Sequence, residues 1–434
     1  MKTLFILAIL PAALAAQQPA ADSLHPITLK QAIALATENA PAAVAAEGQI
    51  STANAGVTSA YANFIPTLSW SMGQSQQSGN RFGQSGDIVP YNAQPWSFTD
   101  GLRTSLTLFD GGQRFATLRT AKANVRNAEA NQVAQQFNIA LQVKTQYYNI
   151  LAAEESESAA EAQLQQAVEQ LKVSVAKVAA GASTRSDSLR SAIQVSNARL
   201  ALLTAQDNMM VASAALTRLV ATPYLVTATA SDTLDQSITP VDSTMLAHLA
   251  ADGPSVRSAQ AALASAQAAY AGSKSSYLPT ISISYSRSGS GFDKYYGIGG
   301  GKMAYSKNLS LSLSYSIFDN WSRENQSVGA AVQMRNAEAT LRDTRLAAQQ
   351  NVVQYVANLE TLQQQIQIQQ QTIAAAEEDL RVQQQRYAVG ASTLLDVLTS
   401  QTALNQARVQ LIQYRLNFRT TKAQVEQLIG RDLQ

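Results

Sequence analysis

The strongest constraint on this chain is that one unit is written twice. Ala62-Asn63-Phe64-Ile65-Pro66-Thr67-Leu68 is echoed by Ser275-Ser276-Tyr277-Leu278-Pro279-Thr280-Ile281, with Pro66 and Pro279 separated by 213 residues, and Pro41 and Pro254 keep that spacing. Phe109-Asp110 is echoed by Phe318-Asp319, and Gly181-Ala182-Ser183-Thr184 by Gly390-Ala391-Ser392-Thr393, both at 209 residues, as are Asp187 and Asp396. A fixed period marks a repeated structural unit. The spacing changes only between residues 67 and 108, so the length difference between the halves falls in one glycine-rich stretch. That stretch reads as a hairpin with a variable tip.

Each half carries strand alternation. Leu309, Leu311, Leu313, Tyr315 and Ile317 alternate with Ser310, Ser312, Ser314 and Ser316, and Ile281, Ile283 and Tyr285 alternate with Ser282, Ser284 and Ser286. Gly289 to Gly301 would supply the turn between them. The first half repeats this with Leu68, Trp70 and Met72, then Leu102, Thr104, Leu106 and Leu108. The runs approach the ~9 to 11 residues of a tilted transmembrane strand, and Trp70, Trp96, Tyr277 and Trp321 lie near their ends. A soluble hairpin with one face on a core fits the same alternation. The nearly pure serine face, without Lys or Glu, favours the membrane. Four strands cannot close a barrel, and an open edge in lipid leaves backbone groups unsatisfied, so the barrel would be shared between copies.

The remaining length is helical. Asp110 and Asp319 are placed to cap helices that meet no proline before Gly181 and Gly390, about 68 residues or ~100 Å each. Val352, Leu359, Ile366, Ile373, Leu380 and Tyr387 recur every seven residues, as do Val397, Leu404, Leu411, Phe418 and Val425. The first half repeats this at Val143, Ile150, Leu164, Leu171 and Val178, then Val195, Leu202, Met209 and Leu216, with Glu157 as a polar intruder. A strict heptad implies a left-handed supercoil. The helices from about Pro41 to Phe64 and from about Thr184 to Val220 would stack end to end, antiparallel to one long helix. Residues 22–40, 221–253 and 430–434 would then form a belt midway along the shaft. A plain coiled-coil rod with a β tip also fits the heptads, but the alanine- and glutamine-rich remaining faces favour a hollow assembly.

The chain divides into a secretory signal at 1–16, a first repeat at 17–221, a linker at 222–253 and a second repeat at 254–434. The first repeat holds a hairpin at about 67–109 and a tip turn at about 179–184; the second holds a hairpin at about 280–318 and a tip turn at about 388–393. The signal rests on Lys2, the apolar run Leu4 to Leu10 and Ala13-Leu14-Ala15. That run is far shorter than the ~20 residues of a spanning helix, the alternative reading. The chain has no cysteine, which excludes disulfides and a lipidated N-terminal cysteine. A net charge of +2 with 14% charged residues argues against nucleic acid as a partner.

The chain resembles the TolC-type outer-membrane efflux channels over nearly all of its mature length. The motifs are Ile27-Thr28-Leu29-Lys30-Gln31-Ala32 with Asn39-Ala40-Pro41, the Phe-Ile-Pro and Tyr-Leu-Pro junctions at Pro66 and Pro279, Leu108-Phe109-Asp110-Gly111-Gly112, and Arg386-Tyr387-Ala388-Val389-Gly390 followed by Leu394-Leu395-Asp396-Val397-Leu398. The resemblance implies a mixed α and β membrane protein. It would be a homotrimer whose twelve-stranded barrel sits in outer-membrane lipid and continues as a twelve-helix periplasmic α-barrel. It implies the exit duct of a tripartite efflux pump or type I secretion system, docked to a periplasmic adaptor and driven by an inner-membrane transporter. A surface-anchored rod or adhesin, or a secreted coiled-coil effector, remains the alternative.

By the same likeness, Val178, Gly181 and Ala182 in one turn and Val389, Gly390 and Ala391 in the other are adaptor-docking tips. Locally they also fit plain helical hairpin turns, each ended by a left-handed glycine, with Ser183 or Ser392 capping the next helix. Asp396 matches a carboxylate ringing the periplasmic aperture. The family's type member has a second aspartate one turn later, where this chain has Thr399, which puts strong cation selectivity in doubt. Asp187 and Tyr387 match residues that hold the aperture closed. The family's arginine partner is replaced by Ser392, so that latch would be missing or rebuilt around Arg185. The alternative for each carboxylate is an ordinary first-turn residue favoured by the helix dipole. No catalytic constellation or metal-ligand spacing is present, and Gly297 to Lys302 lacks the Ser or Thr a phosphate loop requires. Neither an enzyme nor a cofactor is expected.

Overall fold

The structure is a computed structural model describing residues 24–91, 95–229, 243–293 and 302–433. The expected export signal, residues 230–242 of the expected linker and the distal part of the second hairpin turn lie outside the described residues. In chain order the first half contains β1 (His25–Ile27), α1 (Leu29–Asn39), α2 (Pro41–Ala62), β2 (Thr67–Ser75), β3 (Gly79–Phe82), β4 (Ile88–Tyr91), β5 (Trp96–Phe109), α3 (Gln113–Ala179) and α4 (Arg185–Val220). Then follow β6 (Val226–Ala228), α5 (Ser243–Ala250), α6 (Pro254–Ser273), β7 (Thr280–Asp293), β8 (Met303–Ser314), α7 (Ser322–Ala388) and α8 (Leu394–Ile429). Among the described residues no helix is long and apolar enough to cross a membrane.

The chain divides into two compact units. One is drawn from residues 41–141, 237–361 and 421–434 and holds a four-stranded antiparallel sheet in the order β2-β5-β7-β8. The hairpin of one half is thus hydrogen-bonded to the hairpin of the other through β5 and β7. The register follows the alternation: Leu106 faces Ile283, which faces Leu311, and Ile281 faces Leu313. These side chains share one face, where Leu309, Leu311 and Leu313 are 68 to 69% exposed. The opposite face is a hydroxyl ladder, with Ser284 and Ser310, Ser288 and Ser306, and Thr67 and Ser105 each joined at 2.8 Å.

Three strand expectations change. A bulge between Thr107 and Phe109 sets Phe109 opposite Ile281, so Phe109 rather than Leu108 continues the apolar face beyond the extra residue. Pairing of β8 stops at Ser314 because its partner β7 begins at Thr280, immediately after Pro279, which leaves Tyr315 and Ile317 outside the strand. The turn expected from Gly289 starts later, because β7 continues to Asp293. Gly289 belongs to the strand and leaves room for Tyr305 across from it, whose ring would lie 2.6 Å from an added Cβ. The first hairpin also carries a separate β3–β4 ribbon, in the region where the two halves differ in length.

In the same unit α3 carries asparagines at heptad spacing that the apolar pattern does not reveal. Asn124 and Asn131 accept from Ser265 and Ser258 of α6, and Asn138 accepts from the Gln427 amide of α8 at 2.9 Å. The order of these bonds places α8 and then α6 along α3, antiparallel to it. Their ends meet where Gly430 lies against Pro254, 2.8 Å from Cγ for an added Cβ.

The other unit is drawn from residues 1–40, 142–236 and 362–420. The parallel ribbon of β1 and β6 joins two of the expected belt segments. Tyr147, fully buried, donates through its hydroxyl to the Ile27 carbonyl at 3.1 Å and accepts from the Thr229 amide at 3.0 Å. The second-half heptad packs as expected, with Leu380, Tyr387, Leu394, Val397 and Leu404 forming a core cluster. The first half differs. Its heptad is fully buried at Val143, Ile150 and Leu216, but nearer the turn the buried positions are Ala160, Ala167 and Ser174, then Ser191, Ala198 and Ala205, whereas Leu164, Leu171, Val178, Val195, Leu202 and Met209 are only half-buried. Small side chains let the two helices approach closely and push the larger ones to the flanks of the seam. The Ser174 and Ser191 hydroxyls bond at 2.9 Å within it.

Candidate functional site

The two helical turns are built alike. After α3 the Ala182 amide reaches the Lys177 carbonyl at 2.8 Å and the Gly181 amide reaches Val178; after α7 Ala391 reaches Arg386 at 2.8 Å and Gly390 reaches Tyr387. These six-to-one and inner bonds satisfy the last helical carbonyls and require a left-handed residue, supplied by Gly181 at φ +72° and Gly390 at φ +80°. Val389 is 81% exposed and Ala182 and Ala391 are also exposed, while Val178 is half-buried.

The next helix starts on a threonine, not on the serine expected. Thr184 accepts from the Asp187 amide and Asp187 reaches back to the Thr184 amide, a reciprocal capping box. Thr393 and Asp396 do the same in the second turn. Ser183 and Ser392 act one step further out, each donating to the aspartate carboxylate, at 2.8 and 2.9 Å. The threonine caps because the preceding residues are still used by the glycine turn.

Each carboxylate is therefore rich in donors. Hydroxyls of Ser183 and Thr184 hold Asp187 below the usual carboxylate range, and the Thr393 amide and hydroxyl with Ser392 do so for Asp396. The cation acting on Asp187 is Arg190, one turn on, and that on Asp396 is Arg386; Arg185 is exposed. Thr399 bonds its hydroxyl back to the Leu395 carbonyl at 2.9 Å. Within the chain Asp187 and Tyr387 are not brought together by a hydrogen bond among the described residues.

Lys177, which no motif marks, joins the two turns instead. Its ammonium donates to the Tyr387 carbonyl and lies 4.1 Å from the centroid of the Tyr387 ring. The Tyr387 hydroxyl is buried without a hydrogen-bond partner among the described residues. The one signal in the sequence is the position of Lys177 itself, a cation in the last turn of the first long helix.

The strand-to-helix junctions are also duplicated. Asp110 accepts from the Gly112 and Arg114 amides and pairs with the Arg114 guanidinium at 3.0 Å; Asp319 accepts from the Arg323 amide and pairs with its guanidinium at 3.1 Å. Both aspartates cap from outside the helix. Arg114 lies over Phe64 and Arg323 over Tyr277, the aromatics that precede Pro66 and Pro279. The arginines, which the duplicated motifs do not include, thus tie each strand start to the helix beside it.

The profile described as outer membrane efflux protein matches residues 32–222 and 246–431. The chain belongs to the outer membrane efflux protein family. Members are channel proteins rather than enzymes, and this one is a protein of the cell outer membrane with a large periplasmic part. Among curated relatives it is 25% identical over 420 residues to Protein CyaE of Bordetella pertussis, covering 93% of this chain and 84% of that one. It is 26% identical over 383 residues to the pyoverdine export outer membrane protein OpmQ of Pseudomonas aeruginosa, covering 86% and 78%. Its fold is similar to the CmeC outer membrane channel of Campylobacter jejuni, with a TM-score of 0.76 at 17% identity over 99% of this chain and 94% of that one.

Proposed function

We propose that three copies of this outer membrane efflux protein close a twelve-stranded barrel in the outer membrane, continuous with a twelve-helix barrel in the periplasm. The assembly is a passive exit duct of a tripartite efflux pump or a type I secretion system. One observation carries this reading: the four-stranded sheet ends in β2 and β8, each hydrogen-bonded on one side only among the described residues. In lipid every unpaired backbone group costs several kcal/mol, and bacterial barrels begin at about eight strands, so the edges of one copy must meet those of others.

The two turns then face the periplasmic adaptor, with Val178, Gly181, Ala182, Val389, Gly390 and Ala391 as the docking surface. Asp396 lines the narrow aperture, Asp187, Arg185, Tyr387 and Thr399 stand around it, and energy comes from an inner-membrane transporter. The name of OpmQ ascribes export to that relative and supports the direction of transport. Extraction from outer-membrane fractions as a trimer with single-channel conductance tests the reading. A water-soluble monomer without conductance overturns it and favours the rod.

A further inference from the structure

Two cations interrupt the apolar face of the sheet. Leu102 of β5 faces Arg287 of β7, which faces Lys307 of β8, one rung beyond Tyr285 and Leu309 on the side away from the helices. Like charges directly across a strand pair destabilise it unless an anion lies between them. Among the described residues neither cation forms an ion pair. Asp100, the carboxylate two positions along on β5, sits opposite Gly289 and accepts from the Trp70 indole at 2.7 Å.

The depth of the pair is specific. Within β8 the unbroken apolar run is Leu309, Leu311 and Leu313, about 10 Å of bilayer at ~3.3 Å per residue and ~40° tilt, inside the ~25 Å band of an outer-membrane barrel. Lys307 and Arg287 stand at the outer end of that run, one rung beyond Leu309 on the side away from the helices. Aromatic side chains mark the same level, with Tyr285, Tyr305 and Trp70 on this face. The Arg287 guanidinium stacks on Tyr305 at 4.2 Å, and a guanidinium held by its face presents its edge, the geometry that matches phosphate oxygens.

We propose that Arg287 and Lys307 bind the phosphate of a phosphorylated lipid headgroup in the outer leaflet. The inference rests on the sheet being part of a transmembrane barrel. The lipid supplies the anion the cross-strand pair lacks, and its acyl chains lie along Leu309, Leu311 and Leu313.

Native mass spectrometry of the full-length detergent-extracted protein with added lipid A tests this. R287Q/K307Q is expected to lower lipid A occupancy at least about tenfold, while R287K/K307R and Arg103→Gln, on the serine face, retain it. With wild type, dephosphorylated lipid A is expected to bind weakly and millimolar inorganic phosphate to leave the complex intact. Wild-type occupancy in R287Q/K307Q, equal binding of the dephosphorylated lipid, or displacement by free phosphate overturns the proposal. Because the chain lacks cysteine, a spin label on Leu311→Cys reports separately whether that face meets lipid. A label in water defeats the barrel reading; a label in lipid with unchanged lipid A binding in R287Q/K307Q defeats the headgroup site alone.

Discussion

The Lys177 ammonium sits 4.1 Å from the centre of the Tyr387 ring and hydrogen-bonds the carbonyl of the same tyrosine, so one side chain from the end of α3 closes the end of α7. The cation lies where the dipole of α7 is negative and over an aromatic face, a combination contributing about 0.5–2 kcal/mol. Lys177→Met keeps the stem and removes the charge. In planar bilayers it is expected to raise the frequency of open events about fivefold or more. Wild-type opening statistics would mean that the contact does not restrain the tips.

Asp396→Ala is expected to weaken cation selectivity, read as a reversal potential closer to zero in a salt gradient. Three carboxylates in a constriction attract cations, and Thr399 supplies no second charge. Unchanged reversal potentials would remove Asp396 from the aperture. The wild-type pH dependence follows from the hydrogen bonds of Thr393 and Ser392, which lower the folded pKa. Its stabilising contribution is fully present above the ordinary Asp value of about 3.9 and is lost as pH falls through the lower folded value. Selectivity should therefore be flat from neutral pH to about pH 5.

Gly390→Ala places a side chain at φ +80° with no atom within 4 Å, so its cost is purely backbone strain of about 1 kcal/mol. Thermal unfolding is expected about 1 °C lower, with weaker co-purification of the adaptor. Val389→Ser, changing an 81% exposed residue beside it, is expected to weaken co-purification without lowering stability. Loss of stability in Val389→Ser would show that this valine packs and does not dock.

Glu154 accepts from Thr227 at 3.3 Å, and its pKa is raised first by burial, against the lowering effect of that bond, with Glu157 adding repulsion. A carboxyl with a raised folded pKa stabilises below its unfolded value and loses that contribution as pH rises through the folded value. Glu154→Gln keeps an acceptor for Thr227. It is expected to raise the unfolding midpoint at pH 7 and leave it unchanged near pH 4. A gain at both pH values would assign the effect to packing.

The scaffold is legible in the sequence because its signals are periodic. Strands of period two and long proline-free helices need only local physics, and the repeat states their lengths twice over. The first-half seam is hidden because Ala160, Ala167, Ser174, Ser191, Ala198 and Ala205 carry too little hydrophobicity to outweigh the leucines beside them, although closeness of approach makes them the interior. Thr184 and Thr393 are masked as caps because serine precedes each, and only the backbone of the glycine turn decides between the two. Lys177 and Tyr387 are far apart in sequence, and no periodicity announces such a pair. The asparagines at 124, 131 and 138 lie in a heptad of their own that a search for apolar side chains passes by.

The pairing of β5 with β7 also sets a timetable. Trp96 bonds opposite Asp293 and Phe109 opposite Ile281, so the first hairpin must wait for all of α3, α4 and α6 to be synthesised and exported before its neighbour exists. Pairings that close so much chain are slow, and strand edges left open meanwhile are prone to aggregation. During that interval β5 is a half-clad strand in an aqueous compartment. A carrier that shields it in transit would then govern how much of this protein reaches its membrane.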